Sequence, residues 1–345
     1  MKKISFSIVT ALLLITLLII GGEIAIRGYH YVKYGRNPLI HAGILTFDET
    51  LGWRPTENYQ QHDLKLDAGG RSYSVEYTTD KNGFRMFGNQ HVKDKRKVLF
   101  VGDSYTQAEE VSNDKTYYGL LKDSSNLEVF AYGGLGYGNL QEYMVLNKFI
   151  EQIQPDVIVL QFCSNDFINN YYELELRSSR NNNAMRRPYM TKEGRVVYAM
   201  ARPLPQFREF INMNSRFLYS IFSRLDKLAS SDSSVEDIIA VKGREYELFQ
   251  DSVEITERLL GKIKARIPTN TMVYAFSVDG SNPYYDEFRR MSHANEFVFM
   301  DDVPRAIEKA EEHGVVVKAA DNAHWNEMGH KIVSDVIAKY LLTHR

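Results

Sequence analysis

The chain has 345 residues, 44% apolar and 25% charged, so it can bury the core of one large domain or two small ones. A formal net charge of −2 gives no polyelectrolyte signal and speaks against nucleic acid as a partner. The single cysteine, Cys163, excludes an intrachain disulfide, and its place at the end of an apolar run reads as a buried, inert thiol rather than a nucleophile.

At the N-terminus, Lys2 and Lys3 precede an uncharged stretch over residues 4–22. At about 1.5 Å rise per residue, a helix of that length roughly matches the ~30 Å hydrocarbon core of a bilayer. A cleaved signal peptide is the competing reading, but Gly21-Gly22-Glu23-Ile24-Ala25 is a poor cleavage site, and no cysteine follows to carry a lipid. The expectation is an uncleaved single-pass anchor in the cell membrane. Lys2 and Lys3 are nearly balanced by Arg27, Lys33 and Arg36 on the far side. The short tail and signal-like layout therefore carry the orientation, with the bulk of the chain outside the cytoplasm, periplasmic or extracellular.

Residues 23–38 read as a juxtamembrane helix or linker, within a linker and β-hairpin region over 23–90. Alternating apolar positions over 63–79 flank Ala68-Gly69-Gly70, a hairpin signal, and Asp80-Lys81-Asn82-Gly83 reads as a turn with Phe84 and Met86 as packing residues after it. From residue 97 the pattern becomes strand, loop, helix. Strands are expected over 97–101, 127–131, 157–162, 271–277 and 296–300, and helices over 117–122, 140–152, 251–266, 303–313 and 327–342. Continuous apolar strands alternating with helices imply a mostly parallel five-stranded sheet in a three-layer α/β/α domain over 91–345. About a hundred residues separate Asn165 from Thr271, far more than a usual connection. They hold an Arg- and Asn-rich stretch over 177–187, a hairpin over 189–199, an amphipathic helix over 214–228 and a flexible loop over 229–234. The reading is an inserted cap at about 167–250, either a lid or substrate-selecting element, or a structural appendage away from the site.

Four separated segments carry candidate chemistry. Gly102-Asp103-Ser104 follows the first strand and opens a helix, the place where open α/β sheets present site residues. Gly133-Gly134-Leu135-Gly136-Tyr137-Gly138 follows the second, Ser164-Asn165-Asp166 the third, and Asp321-Asn322-Ala323-His324 precedes the last helix. In this order the segments resemble four blocks of the SGNH hydrolases, also called the GDSL family, in its membrane-anchored bacterial form. The resemblance covers roughly residue 97 to the C-terminus. It departs from the family at Ser164, where glycine is common, and at Ala131, where many relatives have asparagine. It implies a flavodoxin-like fold and a serine esterase or acyltransferase without a cofactor or metal.

A serine nucleophile needs a base, an orienting acid and oxyanion donors. Ser104 is the candidate nucleophile and His324 the base, because imidazole titrates near neutral pH. Asp321 can hold the imidazole tautomer. The oxyanion donors are the backbone N–H groups of Ser104 and Gly136 and the side-chain amide of Asn165, with Gly133 a competing choice for the glycine. Each segment alone has a plain structural reading: an N-cap serine, an Asn-Asp turn, an ordinary helix start at His324. A metal site from Asp321, His324 and His330 lacks the His-x-x-x-His spacing. Several of Tyr105, Tyr117, Tyr118, Tyr137, Tyr171 and Tyr172 read as core or rim residues, with a sugar-stacking surface as the alternative. The expected substrate is an acylated small molecule or polysaccharide, favouring O-acetylated carbohydrate outside the cytoplasm by family analogy. The alternative is a non-catalytic accessory protein that keeps the fold and binds a glycan or partner.

Overall fold

The computed structural model describes residues 2–34, 43–124, 126–229 and 234–343. The chain begins with helix α1 (Lys2–Tyr34), followed by strands β1 (Leu45–Asp48), β2 (Gly52–Pro55), β3 (Gln60–Leu66), β4 (Ser72–Thr78) and β5 (Met86–Phe87). Next come β6 (Arg96–Gly102), α2 (Ser104–Gln107), α3 (Tyr117–Ser124), β7 (Leu127–Gly133), α4 (Asn139–Ile153) and β8 (Val157–Phe162). The long connection holds α5 (Asn165–Asn170), α6 (Tyr172–Glu175), β9 (Arg186–Met190), β10 (Val196–Met200), α7 (Pro205–Asn214), α8 (Arg216–Ala229), α9 (Val235–Lys242) and α10 (Glu247–Arg266). The chain closes with β11 (Met272–Ser277), α11 (Tyr284–Ala294), β12 (Val298–Phe299), α12 (Asp302–Glu312) and α13 (Glu327–Thr343).

The main sheet runs β12-β11-β8-β6-β7-β5, parallel throughout except for β5, which pairs antiparallel with β7 through Met86 and Phe87. The sheet therefore has six strands rather than five. A two-residue edge strand has too short a period to stand out in sequence. Every residue of β7 and β8 is buried, as expected for strands covered on both faces. Side-chain alternation divides the core in two. Leu99, Val101, Phe130, Tyr132, Ile158 and Leu160 pack on one face with α4, α10 and α11. Val98, Phe100, Val129, Val157 and Val159 pack on the other with α3, α12 and α13.

The connections place the site. From β6 the chain steps to β7 on one side, then to β8 on the other, so the strand order reverses around β6. The carboxyl ends of β6, β7 and β8 meet at this switch point, where open α/β sheets bind ligands. Ser104, Gly136 and Asn165 each follow one of these three strands.

The apolar N-terminal segment lies within α1, which runs on to Tyr34. Its stretch Ile8–Tyr29, 22 residues of mean hydropathy 2.4, is long and apolar enough to cross a membrane. The Glu23 carboxylate of α1 accepts hydrogen bonds from Ser215 Oγ at 2.8 Å and from the N–H groups of Arg216 and Phe217 at 3.1 and 3.0 Å, satisfying orphan donors at the start of α8. Residues 35–38 of the expected linker, including Arg36, and residues 230–233 of the expected loop lie outside the described residues.

Residues 45–87 pack against the sheet domain. Trp53 and Phe84 are fully buried, and the hairpin β3–β4 turns at Ala68–Gly70. Ala68 N–H donates to Lys318 O at 2.9 Å and Ala320 N–H to Leu66 O at 3.0 Å, so this hairpin clamps the loop carrying Asp321 and His324.

Candidate active site

Ser104 is delivered by a tight strand-to-helix turn. Gly102 ends β6 so close to its neighbours that a methyl group there would lie 2.3 Å from Gln161 Oε1 and 2.5 Å from Thr106 Oγ1, which requires glycine. Asp103 caps α2: its Oδ1 accepts the Tyr105 N–H at 2.9 Å, and its own N–H donates to Gln161 Oε1 at 3.0 Å. Ser104 is the first residue of that helix.

His324 reaches Ser104 from the far end of the chain. Its Nε2 lies 2.8 Å from Ser104 Oγ, and its Nδ1 lies 2.5 Å from Asp321 Oδ2. The other Asp321 oxygen accepts the N–H groups of Ala323 at 3.0 Å and His324 at 3.1 Å, which fixes the turn. Tyr105 braces the same turn: its OH donates to Ala323 O at 3.0 Å, and its ring lies 5.0 Å from the His324 ring. Burial alone would raise the Asp321 carboxyl, but hydrogen bonds from the His324 ring and from backbone N–H groups outweigh it and hold the group at about 2. For His324, burial favours the neutral ring. The Asp321 hydrogen bond and charge, joined by Asp103 and Glu110, overcome it and raise the imidazole above its ordinary value.

The oxyanion candidates follow the ends of β6, β7 and β8. Gly136 has φ +65, in the left-handed region, and a methyl group there would fall 2.0 Å from Asn183 Nδ2. The N–H groups of Ser104 and Gly136 have no acceptor among the described residues. Gly133 has a different job. It ends β7 in register with Gly102, and a methyl group on it would strike Gln107 N at 2.1 Å, so it is a close-packing glycine. Asn165 opens α5 and donates from Nδ2 to Asn169 Oδ1 at 2.9 Å.

A buried brace that the sequence did not disclose ties these donors together. The Glu175 carboxylate accepts Asn169 Nδ2 at 3.1 Å, the Asn183 N–H at 3.2 Å and Arg187 Nη1 at 3.2 Å. Arg187, wholly buried on β9, donates to the Gly136 carbonyl at 2.6 Å and to Gln141 Oε1. Trp53 Nε1 adds a hydrogen bond to Leu135 O at 2.7 Å, and the Tyr137 OH one to Trp53 O at 2.6 Å. In sequence Arg187 is an ordinary charge in the Arg- and Asn-rich stretch and Glu175 another just before it, and only their fractional exposures, 0% and 1%, single them out.

Other candidates fall away from the relay. His330 lies buried in α13, stacked on Tyr117, accepting the Tyr117 N–H at 3.3 Å, and burial lowers it to about 3. Cys163 is half-buried after β8, and burial pushes its thiol well above the usual range, which makes it a poor nucleophile. Tyr117, Tyr118 and Tyr137 are fully buried core residues, Tyr171 is largely buried and Tyr172 is half-buried. Among the described residues no cluster of His, Cys, Asp or Glu could hold a metal ion. Behind the site, Asp103, Glu142 and Asp166 are buried close together, with Asn139 Nδ2 donating to Glu142 at 2.9 Å and to Asp166 at 3.3 Å.

Residues 98–337 match the family model for GDSL-like lipase/acylhydrolase, more than half of the chain. The chain belongs to this family. It is thus a GDSL/SGNH-type hydrolase, and the matched span takes in the serine turn and the terminal Asp–His turn. Solved structures of similar fold include an alpha/beta hydrolase enzyme from the metagenome of Lake Arreo, Spain, at 13% identity and a TM-score of 0.41, over 73% of this chain and 97% of that one. The psychrotrophic esterase EstA from Pseudoalteromonas sp. is 11% identical with a TM-score of 0.40, over 72% and 98%. An acetylxylan esterase from Geobacillus stearothermophilus is 12% identical with a TM-score of 0.39, over 72% and 95%. No curated protein matches the chain in sequence.

Proposed function

We propose that this GDSL-like protein is a membrane-anchored serine esterase or acyltransferase that removes or transfers O-acetyl groups on carbohydrate outside the cytoplasm. The observation that carries the reading is the unbroken run of short contacts from Ser104 Oγ through His324 to Asp321, at 2.8 and 2.5 Å. In this reading Ser104 Oγ attacks the acyl carbonyl carbon and its proton passes to His324 Nε2. Asp321 stabilises the imidazolium. The oxyanion takes hydrogen bonds from the Ser104 and Gly136 N–H groups and the Asn165 amide. Collapse breaks the bond to the alcohol, which leaves with the proton from His324. The acyl-enzyme is then attacked by water, releasing the acid, or by a second hydroxyl, completing transfer.

Two further observations support the finer claims. An open groove of about 510 Å³, lined by Tyr105, Asp279, Asn322, Ala323 and Trp325, runs along the His324 side, and its polar rim suits a hydrated polymer better than a buried acyl chain. The apolar stretch of α1 supports anchoring.

The test is active-site labelling. A fluorophosphonate should label the full-length protein at Ser104, and Ser104→Ala should lose both labelling and turnover of p-nitrophenyl acetate with unchanged melting. A folded, unlabelled wild-type protein leaves the accessory-protein reading instead. Activity on a panel of acetylated glycans, reading acid release against acetyl transfer, separates the two reactions. Membrane fractionation of the full-length chain tests the anchor, and recovery of a shortened chain beginning near Ala25 would show a cleaved signal.

A further inference from the structure

The insertion encloses a second cavity, of about 170 Å³, between the 179–184 loop and helices α7 and α8. Its walls include Asn183, Arg202, Arg208, Tyr219, Phe222 and Asp226. The charges in it do not balance. Arg208 Nη1 lies 2.7 Å from Asp226 Oδ2, and Arg202 Nε lies 3.7 Å from the same oxygen. All three side chains are less than a fifth exposed, so one carboxylate serves two guanidiniums largely withdrawn from water. Arg202 Nε is buried with no hydrogen-bond acceptor among the described residues. Arg180, at the rim, is already paired with Asp237 at 2.9 Å. Arg202 Nη2 donates to Asn182 O at 3.5 Å, so what is unmet is the Arg202 Nε and the charge balance of one carboxylate against two guanidiniums. Such a guanidinium pair attracts an anion, and the planar fork of arginine matches carboxylate and phosphate oxygens.

One wall residue of the cavity also touches the Gly136 loop. Asn183, part of its wall, is the residue whose Nδ2 would stand 2.0 Å from a methyl group on Gly136. The Asn183 side chain thus stands between the cavity and the Gly136 loop. Tyr219 and Phe222 bring aromatic rings to the wall, and the Arg208 guanidinium lies over the Phe222 ring, 4.8 Å from its centre. Aromatic faces beside charged forks suit a charged sugar, whereas an acyl chain would strand the guanidiniums without partners.

We propose that this cavity is a subsite for an anionic group, carboxylate or phosphate, carried by the acylated glycan, so that the protein selects charged over neutral surface polymers. This deepens the proposed function and rests on it for the acyl chemistry, but the binding claim is tested apart from catalysis.

Binding is measured by isothermal titration with full-length Ser104→Ala protein in detergent, using oligogalacturonate, glycerol-phosphate oligomers and neutral xylo-oligomers as probes. Anionic oligomers should bind about tenfold or more tighter than neutral ones, as charge-assisted hydrogen bonds to arginine require, with the preference weakening as salt rises. Preference for the uronate probe assigns a carboxylate, and preference for the glycerol-phosphate probe a phosphate. Arg202→Gln and Arg208→Gln should erase the preference, whereas Asp226→Asn, which removes the competing carboxylate, should strengthen it. Equal binding of anionic and neutral oligomers overturns the subsite, and so does an Asp226→Asn variant that weakens binding as the arginine variants do. Wild-type kcat/KM on acetylated forms of the same oligomers is read in parallel. Arginine-dependent binding without ester turnover keeps the subsite and rejects the acyl chemistry. Turnover without charge preference does the reverse.

Discussion

Arg187 donates to the backbone carbonyl of Gly136 across 51 residues of chain, at 2.6 Å, from a hairpin of the insertion into the loop that carries a proposed oxyanion donor. The same guanidinium pairs with Glu175, whose carboxylate also accepts the Asn169 amide that in turn receives the Asn165 amide. One buried ion pair thus holds both non-serine oxyanion candidates. The insertion is coupled to the site through it. Removing one partner of such a pair leaves an uncompensated buried charge, at a cost of about 3–5 kcal/mol.

Arg187 is therefore expected to act as a positioning residue. Arg187→Lys keeps the charge against Glu175 but loses the fork that also reaches Gly136 and Gln141. Its kcat on an activated ester should fall by roughly ten- to a hundredfold, with KM nearly unchanged and folded fraction retained. Arg187→Met should melt far lower. A lysine variant that loses thermal stability while keeping wild-type kcat per folded molecule would show the arginine to be structural only.

The pH dependence follows from the shifts at His324 and Asp321. The base must be neutral to take the Ser104 proton, and its raised pKa places the acid limb of kcat/KM above the ordinary histidine value of 6.5. Asp321→Asn removes the charge that holds it up, so the limb should move toward lower pH while kcat falls on the order of a thousandfold or more. For stability the signs are opposite. The His324 contribution is fully present below pH 6.5 and is lost as pH rises through its higher folded value. The Asp321 contribution is present above pH 3.8 and is lost as pH falls through about 2. A pH–rate profile of the wild type and the asparagine variant checks the first claim, and an unmoved acid limb would sever the link between Asp321 and the base.

How much of this was legible in the sequence depended on whether a residue's role is local. Ser104, Gly136 and Asn165 follow long apolar strands, and Asp321 and His324 share one turn, so residue type and neighbourhood mark all five as candidates. The sequence pattern predicts five strands where the sheet has six, because β5 is only Met86 and Phe87. No helix is expected over α11, because its core residues Tyr284, Tyr285, Phe288 and Met291 sit among charges. The backbone grip of hairpin β3–β4 on Lys318 and Ala320, and the side-chain grip of Arg187 on the Gly136 carbonyl, are long-range contacts. No spacing rule encodes them.

Glu142 makes a separate prediction about stability. Burial, with the Asp103 charge adding to it and the Asn139 amide opposing it, pushes its carboxyl from 4.5 to about 8. A raised folded value contributes stability that is fully present below pH 4.5 and disappears as pH rises through about 8. Glu142→Gln keeps the shape and cannot ionise. It should melt like the wild type near pH 5 and be more stable by a few kcal/mol, ~1–4, near pH 9. Thermal melts of both proteins across that range decide it, and a difference independent of pH would mean that the glutamate is not the titrating group.

Asn165 offers the sharpest test of the proposed oxyanion site. One of its amide hydrogens is engaged by Asn169, and the proposed function needs the other for the developing negative charge. A donor used mainly in the transition state is visible in kcat rather than KM. Asn165→Ala should lower kcat by about a hundred- to a thousandfold with little change in KM, and should slow fluorophosphonate labelling, because the phosphonate oxygen occupies the same position. Asn165→Asp should be worse than alanine, since it places an acceptor where negative charge forms. A residue that only opens α5 makes the opposite prediction: aspartate is as good as asparagine at a helix start and should be tolerated. The rank order of kcat for the two variants, at matched folded fraction, separates the readings. Near-wild-type kcat in the aspartate variant would remove Asn165 from the oxyanion site and leave stabilisation of the charge to the Ser104 and Gly136 N–H groups.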